Sequence, residues 1–214
     1  MLFIYIHGFL SSPESSKARQ LAQWLAAEGI AYACPALDIS PLIALDQIEQ
    51  IIEEAQQRGL HPRLIGSSLG GAYATHLMSH LPARTQMRAV LINPAVAAAR
   101  DLASQVGIHK SWHSDAQLEF TNQHVEDLRL LQGGDPDPKR LMVVAATGDE
   151  LLDWKEMVDR FPHSEHLVVQ GSDHGLSDFE VHWPKVREFL LRPSASSADP
   201  PPRVAPLGGR KARA

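Results

Sequence analysis

The residues with the clearest chemical potential lie in Gly66-Ser67-Ser68-Leu69-Gly70, a G-x-S-x-G pattern. Such a serine can serve as a nucleophile if it sits on a sharp turn between a strand and a helix. The bare string is weak evidence, because glycine and serine are common. Its surroundings say more. Arg63-Leu64-Ile65 reads as a short strand before it, and the Ala/Leu/Met-rich stretch from Ala72 to Leu81 as a helix after it. The small flanking residues let strand and helix approach closely, and the helix N-terminus turns backbone N–H groups toward developing negative charge. The bland alternative is a glycine-rich turn in which Ser67 or Ser68 merely caps the helix.

A serine hydroxyl is a poor nucleophile at neutral pH and needs a base and an acid to orient that base. Asp149 follows a predicted strand, Leu141 to Ala146, within Thr147-Gly148-Asp149-Glu150. His174 follows another, His166 to Val169, within Gly171-Ser172-Asp173-His174-Gly175. Serine, acid and histidine thus come in the chain order of one known nucleophile-elbow arrangement, each beyond the carboxyl end of a strand. Glu150, Asp153 and Asp173 compete for the acid role. Glu150 is expected to turn toward the next helix, Asp153 to cap that helix, and Asp173 to be too close in sequence to face His174. His7-Gly8-Phe9 follows the first strand, so the backbone N–H of Phe9, with that of Leu69, is expected to form an oxyanion hole. His163, His166 and His182 have no such context, and no H-E-x-x-H spacing suggests zinc. No metal or organic cofactor is expected.

The elements that must position these residues alternate. Leu2 to Ile6 and Ile30 to Cys34 read as strands, and a helix between them starts at Ser12-Pro13-Glu14 and stops at Gly29. A helix from Ser40-Pro41 to Gly59 carries Leu42, Leu45, Ile48, Ile51, Ile52 and Ala55 at spacings of three and four. Met87 to Ile92 reads as a strand, Asp153 to Phe161 as a helix and Phe179 to Leu191 as a last amphipathic helix. The pattern predicts an α/β fold: a mostly parallel sheet of about six strands with helices on both faces. Residues 96–140 are too long for one crossover and hold one convincing helix, Asn122 to Leu131. The surplus, with Val106, Ile108, Trp112, Leu118 and Phe120, is expected either to patch the core or to form a short lid lining an acyl pocket. Residues 1–192 form the expected domain, and 193–214, with Pro200-Pro201-Pro202, an expected disordered tail.

Of the 214 residues 44% are hydrophobic and 21% charged, and the formal net charge is -5. The basic field expected of a nucleic-acid binder is missing. The N-terminal apolar run breaks at His7-Gly8, too short for a signal peptide, and no apolar stretch is long enough for a membrane span. The single cysteine, Cys34, excludes an intrachain disulfide, which suits a cytoplasmic protein.

Four motifs carry a family resemblance. Ile4-Tyr5-Ile6-His7-Gly8-Phe9 with Ser11-Ser12-Pro13 and Ser16-Lys17-Ala18, then Leu64 to Gly71, Leu91-Ile92-Asn93-Pro94-Ala95 and Gly171-Ser172-Asp173-His174, occur in order. Together they resemble the YqiA/YcfP-like bacterial esterases of the α/β-hydrolase superfamily over residues 2–192. The resemblance implies a compact α/β-hydrolase fold and hydrolysis of small acyl esters or thioesters by Ser68, Asp149 and His174. It is loose over the middle segment and does not reach the tail. A thioesterase or acyltransferase would share the same residues, and a non-catalytic binding module could retain the fold.

Overall fold

Alternate residues of the central strands bury themselves on opposite sides of one sheet, which is why the strands read as nearly continuous apolar runs. The computed structural model describes residues 1–81, 87–110 and 117–193. Strands β1 (Leu2–Ile6), β2 (Ala31–Ala33), β3 (Pro62–Ser67), β4 (Arg88–Ile92), β7 (Leu141–Ala146) and β8 (Glu165–Val169) form a six-stranded sheet in the order β2-β1-β3-β4-β7-β8. Every pairing in it is parallel. Helices α1 (Ser16–Ala27), α2 (Pro41–Gln57), α3 (Leu69–His80), α4 (Ala98–Leu102), α5 (Asn122–Leu131), α6 (Trp154–Arg160) and α7 (Phe179–Leu191) complete the elements that cover it.

Two cores result. On one face Ile4, Ile6, Leu91, Val143 and Ala145 pack against α2, α3, α5 and α6. On the other, Phe3, Tyr5, Ile92, Val144 and Ala146 pack against α1 and α7. The chain runs from β1 to β2 on one side and then returns to β3 on the other, so a crevice opens at the carboxyl ends of β1 and β3.

Two expectations need correction. Helix α1 begins at Ser16 with Ser15 as its cap, not at Ser12. The hydroxyl of Ser12 instead accepts from the N–H of Glu14, making a local turn at the sheet edge. The segment after β4 is richer than a crossover with one helix. It holds the short α4, a 3-10 turn at Ala103–Gln105 and an antiparallel hairpin of β5 (Gly107–Lys110) and β6 (Gln117–Phe120) before α5. Four-residue strands give too little alternation to be read from sequence. Among the apolar residues singled out there, Phe120 is buried in the core, while Val106 and Ile108 are exposed. Trp112 and the tail from residue 194 lie outside the described residues.

The tightest packing in the fold is backbone on backbone. A Cβ at Gly70 would lie 2.0 Å from the carbonyl oxygen of Ile6, and one at Gly66 would lie 2.3 Å from that of Gly70. Neither clash can be relieved by a side-chain rotation. Gly70→Ala and Gly66→Ala are each expected to destabilise the protein by about 2 kcal/mol or more, lowering Tm by several degrees in a thermal melt. Gly175→Ala, whose added Cβ would have its nearest neighbour at 3.7 Å, should melt close to the parent.

Candidate active site

Ser68 sits in the N-cap position of α3, yet its side chain makes no capping hydrogen bond. Its φ of 54° and ψ of -118° lie far from the extended conformation of an ordinary cap. The strained turn is held by main-chain bonds on both sides. Ser68 N–H donates to Ile92 O at 2.9 Å, and its carbonyl accepts from Gly71 N–H at 2.9 Å and Ala95 N–H at 3.0 Å. The hydroxyl is thereby turned away from the helix.

Two loops from the far half of the sheet meet it there. The loop after β7 and the loop after β8 are fastened together by Thr147 N–H to Val169 O at 2.8 Å and Gly171 N–H to Thr147 Oγ1 at 2.9 Å. They bring His174 Nε2 to 3.1 Å from Ser68 Oγ, and His174 Nδ1 to 2.8 Å from Asp149 Oδ2. The carboxylate can only accept, so Nδ1 carries the proton and Nε2 faces the serine as an acceptor. The Asp149 side chain is fully buried, whereas the imidazole is 16% exposed. Burial alone would raise the Asp149 pKa. The bonds from His174 and from the N–H groups of Leu152 (2.8 Å) and Leu151 (2.9 Å) outweigh it and hold the carboxyl below its ordinary value.

The three competing acids are placed elsewhere. Asp153 caps α6 by accepting from Lys155 N–H at 2.9 Å, as expected. Asp173 is turned back onto its own loop, where it accepts from the N–H of Ser177 at 2.8 Å and from the Ser177 hydroxyl. Glu150 departs from expectation: rather than turning to α6, it accepts from the backbone N–H of His174 at 2.9 Å. That bond braces the histidine loop and leaves the imidazole to Asp149.

Gly8 borders the serine, since a Cβ there would lie 3.1 Å from Ser68 Cβ. The Gly8 carbonyl accepts from Ser11 N–H at 3.2 Å and pairs with His7 Nδ1 at 3.0 Å. Leu37 N–H donates to His7 Nε2 at 3.4 Å, which assigns the His7 proton to Nδ1. Pinning this carbonyl turns the N–H of the same trans peptide, that of Phe9, the opposite way. The Phe9 ring is wedged against Phe120 and His109 of the hairpin, with ring centres 4.9 and 5.6 Å away. Leu69, the other expected oxyanion donor, opens α3, where first-turn N–H groups lack intrahelical partners. Phe9, Leu69, Leu102, Leu151 and Leu152 line a cleft of about 500 Å³ that also reaches Ser68 and His174. Among the described residues of the middle segment, Asp101, Leu102 and Gln105 contribute to this cleft.

Sequence reasoning gave no supporting role to Asn93, Lys17 or His7, which it met only within motifs, and weighed Glu150 only as a rival acid. Asn93 ended a strand and Lys17 lay in a helical stripe, and neither carries an obvious catalytic signature. The available signals were an Asn-Pro pair after the strand Arg88–Ile92 and a lysine one turn before Leu21 on α1.

The sheet, its helical cover and the strained serine turn define an α/β-hydrolase fold. The chain belongs to the family described as Uncharacterised protein family (UPF0227), matched over residues 2–191, the YqiA/YcfP family that its motifs resemble. Among solved structures, it is similar to Est1E from Butyrivibrio proteoclasticus, determined with ferulic acid bound. Identity is 17% and the TM-score 0.68, over 89% of this chain and 88% of that one. It is also similar to mouse alpha/beta hydrolase domain-containing protein 10, at 13% identity and TM-score 0.65 over 87% and 88% of the two chains. A third similar structure, a Paleococcus ferrophilus monoacylglycerol lipase, shows 16% identity and TM-score 0.64 over 88% and 93%. Among the described residues, no helix is long and apolar enough to cross a membrane.

The depressed Asp149 carboxyl has a stability consequence of definite sign. Its ionised form is favoured by folding, so its contribution is complete above the unfolded value of roughly 4 and is lost as pH falls through the lower folded value. Asp149→Asn should therefore show a shallower fall of Tm with acidification below about pH 4 than the parent, measured by thermal melts across that range.

Proposed function

We propose that the protein is a serine hydrolase of carboxylic acyl esters, with Ser68 as nucleophile, His174 as general base and acid, and Asp149 as the orienting acid. One observation carries this reading: the unbroken chain from Ser68 Oγ through His174 to Asp149, 3.1 and 2.8 Å long in its two links, at the wall of a cleft. His174 Nε2 removes the hydroxyl proton as Ser68 Oγ bonds to the acyl carbon. The N–H groups of Phe9 and Leu69 receive the oxyanion. The tetrahedral intermediate collapses, the bond to the leaving alcohol breaks, and His174 donates its proton to that alcohol. Water then repeats the sequence on the acyl-enzyme and frees the acid and Ser68. Asp149 keeps the proton on Nδ1 and stabilises the imidazolium.

The leucines and Phe9 along the cleft suit the apolar part of a small ester substrate. The hydrolase and the lipase among the similar structures support a hydrolase. Cys34 is half-buried and burial pushes its thiol up to about 11, the state of an unreactive thiol.

Ser68→Ala is expected to reduce ester turnover to background and to abolish labelling by a fluorophosphonate probe, read as intact mass, while Ser67→Ala retains both. Asp149→Asn should lower kcat by as much as about 10⁴-fold, the loss known for the equivalent change in a Ser-His-Asp protease. An active Asp149→Asn beside an inactive Glu150→Gln would move the acid role to Glu150. Turnover of the parent should fall on acidification, because only neutral imidazole accepts the serine proton. A flat profile from about pH 5 to 8 would remove histidine from the mechanism.

A further inference from the structure

His174 lies on a loop rather than on a helix or strand, between β8 and α7, with Gly171 at φ 74° and Leu176 at φ 48°. A loop is a poor support for a base that must meet a hydroxyl on one side and a carboxylate on the other. A misplacement of about 1 Å in such a group can cost ~10²-fold in rate. Something outside the loop must fix it.

Four consecutive carbonyls of this loop are bound by just two side chains. Asn93 Nδ2 donates to Asp173 O at 3.1 Å and to His174 O at 2.8 Å. Lys17 Nζ donates to Gly175 O and, at 3.4 Å, to Leu176 O. Both residues are anchored in turn. Asn93 is fully buried, its Oδ1 accepts from Ala146 N–H at 2.8 Å, and its own N–H donates to Val144 O at 2.8 Å. It therefore ties the end of β7 to the histidine loop. Lys17 is buried in the inward stripe of α1 beside Ala18, Leu21 and Leu25, with its ammonium 5.1 Å from the centre of the Phe179 ring.

A lysine is an expensive choice for that stripe. Burial pulls its pKa down to about 8, with the nearby carboxylates of Asp173 and Asp178 opposing the shift. A methionine or leucine would pack there at no such cost. What the apolar residue would lack is donors for two adjacent carbonyls pointing into the protein.

We infer that Lys17 and Asn93 are positioning residues that hold His174 within reach of Ser68 by binding the carbonyls of residues 173–176. Asn93 fixes the first half of the loop from the sheet, and Lys17 fixes the second half from α1. This inference rests on the reading of His174 as the catalytic base. Neither residue touches the substrate, so their loss should slow the chemical step and leave substrate binding nearly intact.

The test compares Lys17→Met, Lys17→Arg and Asn93→Asp with the parent and with Leu25→Ala, a core variant on the same helix but away from the loop. Each is measured for kcat and KM on a soluble ester, for Tm, and for the far-downfield proton resonance of a His–Asp hydrogen bond. Lys17→Met and Asn93→Asp should lower kcat by roughly 10- to 100-fold with KM nearly unchanged and should lose or shift that resonance. Lys17→Arg should restore part of kcat, and Leu25→Ala should lower Tm alone. If Lys17→Met does not fold, Lys17→Gln, whose shorter chain cannot bind both carbonyls, takes its place in the comparison and should lower kcat likewise. Parent-like kcat in the Lys17 or Asn93 variant, or an equal loss in Leu25→Ala, overturns the inference. Ser68→Ala separates the two ideas: if it is inactive, such a result discards only the positioning role, whereas if it is active the catalytic reading falls and takes this inference with it.

Discussion

The site depends on one close contact, the approach of the α3 backbone to β1 and β3 at Gly66 and Gly70. Only hydrogen occupies the space that Cβ atoms would need. The helix can therefore start directly on top of the sheet, and Ser68 is forced into a left-handed turn at the sheet edge. A residue held in such a conformation stores strain of about 1–3 kcal/mol. Three main-chain bonds to Ile92, Gly71 and Ala95 hold it there. The same contact determines where β4 and the chain after it must pass, because two of those bonds reach residues at the end of that strand and just beyond.

From this fixed point the remaining groups are placed by sheet parallelism and by main-chain donors. All strands of the main sheet run the same way, so the loops after β1, β3, β7 and β8 share one edge. Register then decides which residues meet. Ala146 pairs with Val169, and the next residues of the two strands are stitched together through Thr147 and Gly171. The loops of the acid and the histidine are brought together by main-chain pairing and one threonine hydroxyl. Asp149 stays ionised without a cationic partner because two backbone N–H groups and the imidazole N–H supply its hydrogen bonds. A salt-bridged acid would have been less suited to hold a neutral imidazole.

The hairpin of β5 and β6 links the middle of the chain to the half of the site built on β1 and β3. Its Phe120 and His109 enclose the Phe9 ring on the loop after β1. The preceding α4 and 3-10 turn bring Leu102 and Gln105 to the cleft. Changes in this segment can reshape the cleft without disturbing Ser68, His174 or Asp149, whose supports lie in the sheet and its edge loops. That separation is how a common scaffold accommodates different substrates.

Alternation of elements, apolar strand runs, and G-x-S-x-G between a strand and a helix were local enough to be read from the chain. So were the positions of Asp149 and His174 just beyond strand ends, because in a parallel sheet a strand end is also an address in space. Helix α7 and strand β7 matched their apolar patterns at both ends, whereas α1 started three residues late, since the Ser12 turn mimics a helix cap. Tertiary structure alone decided the rest. Ser68 and Ser67 are both plausible caps in sequence, and only the φ of 54° and the bond to His174 separate them. Glu150 and Asp149 are neighbours with the same chemistry, and only the path of the histidine loop gives one the backbone and the other the ring. Lys17 and Asn93 find their partners 158 and 80 residues away. No period or motif encodes such a meeting, because it depends on how α1 and β4 are stacked against the loop between β8 and α7.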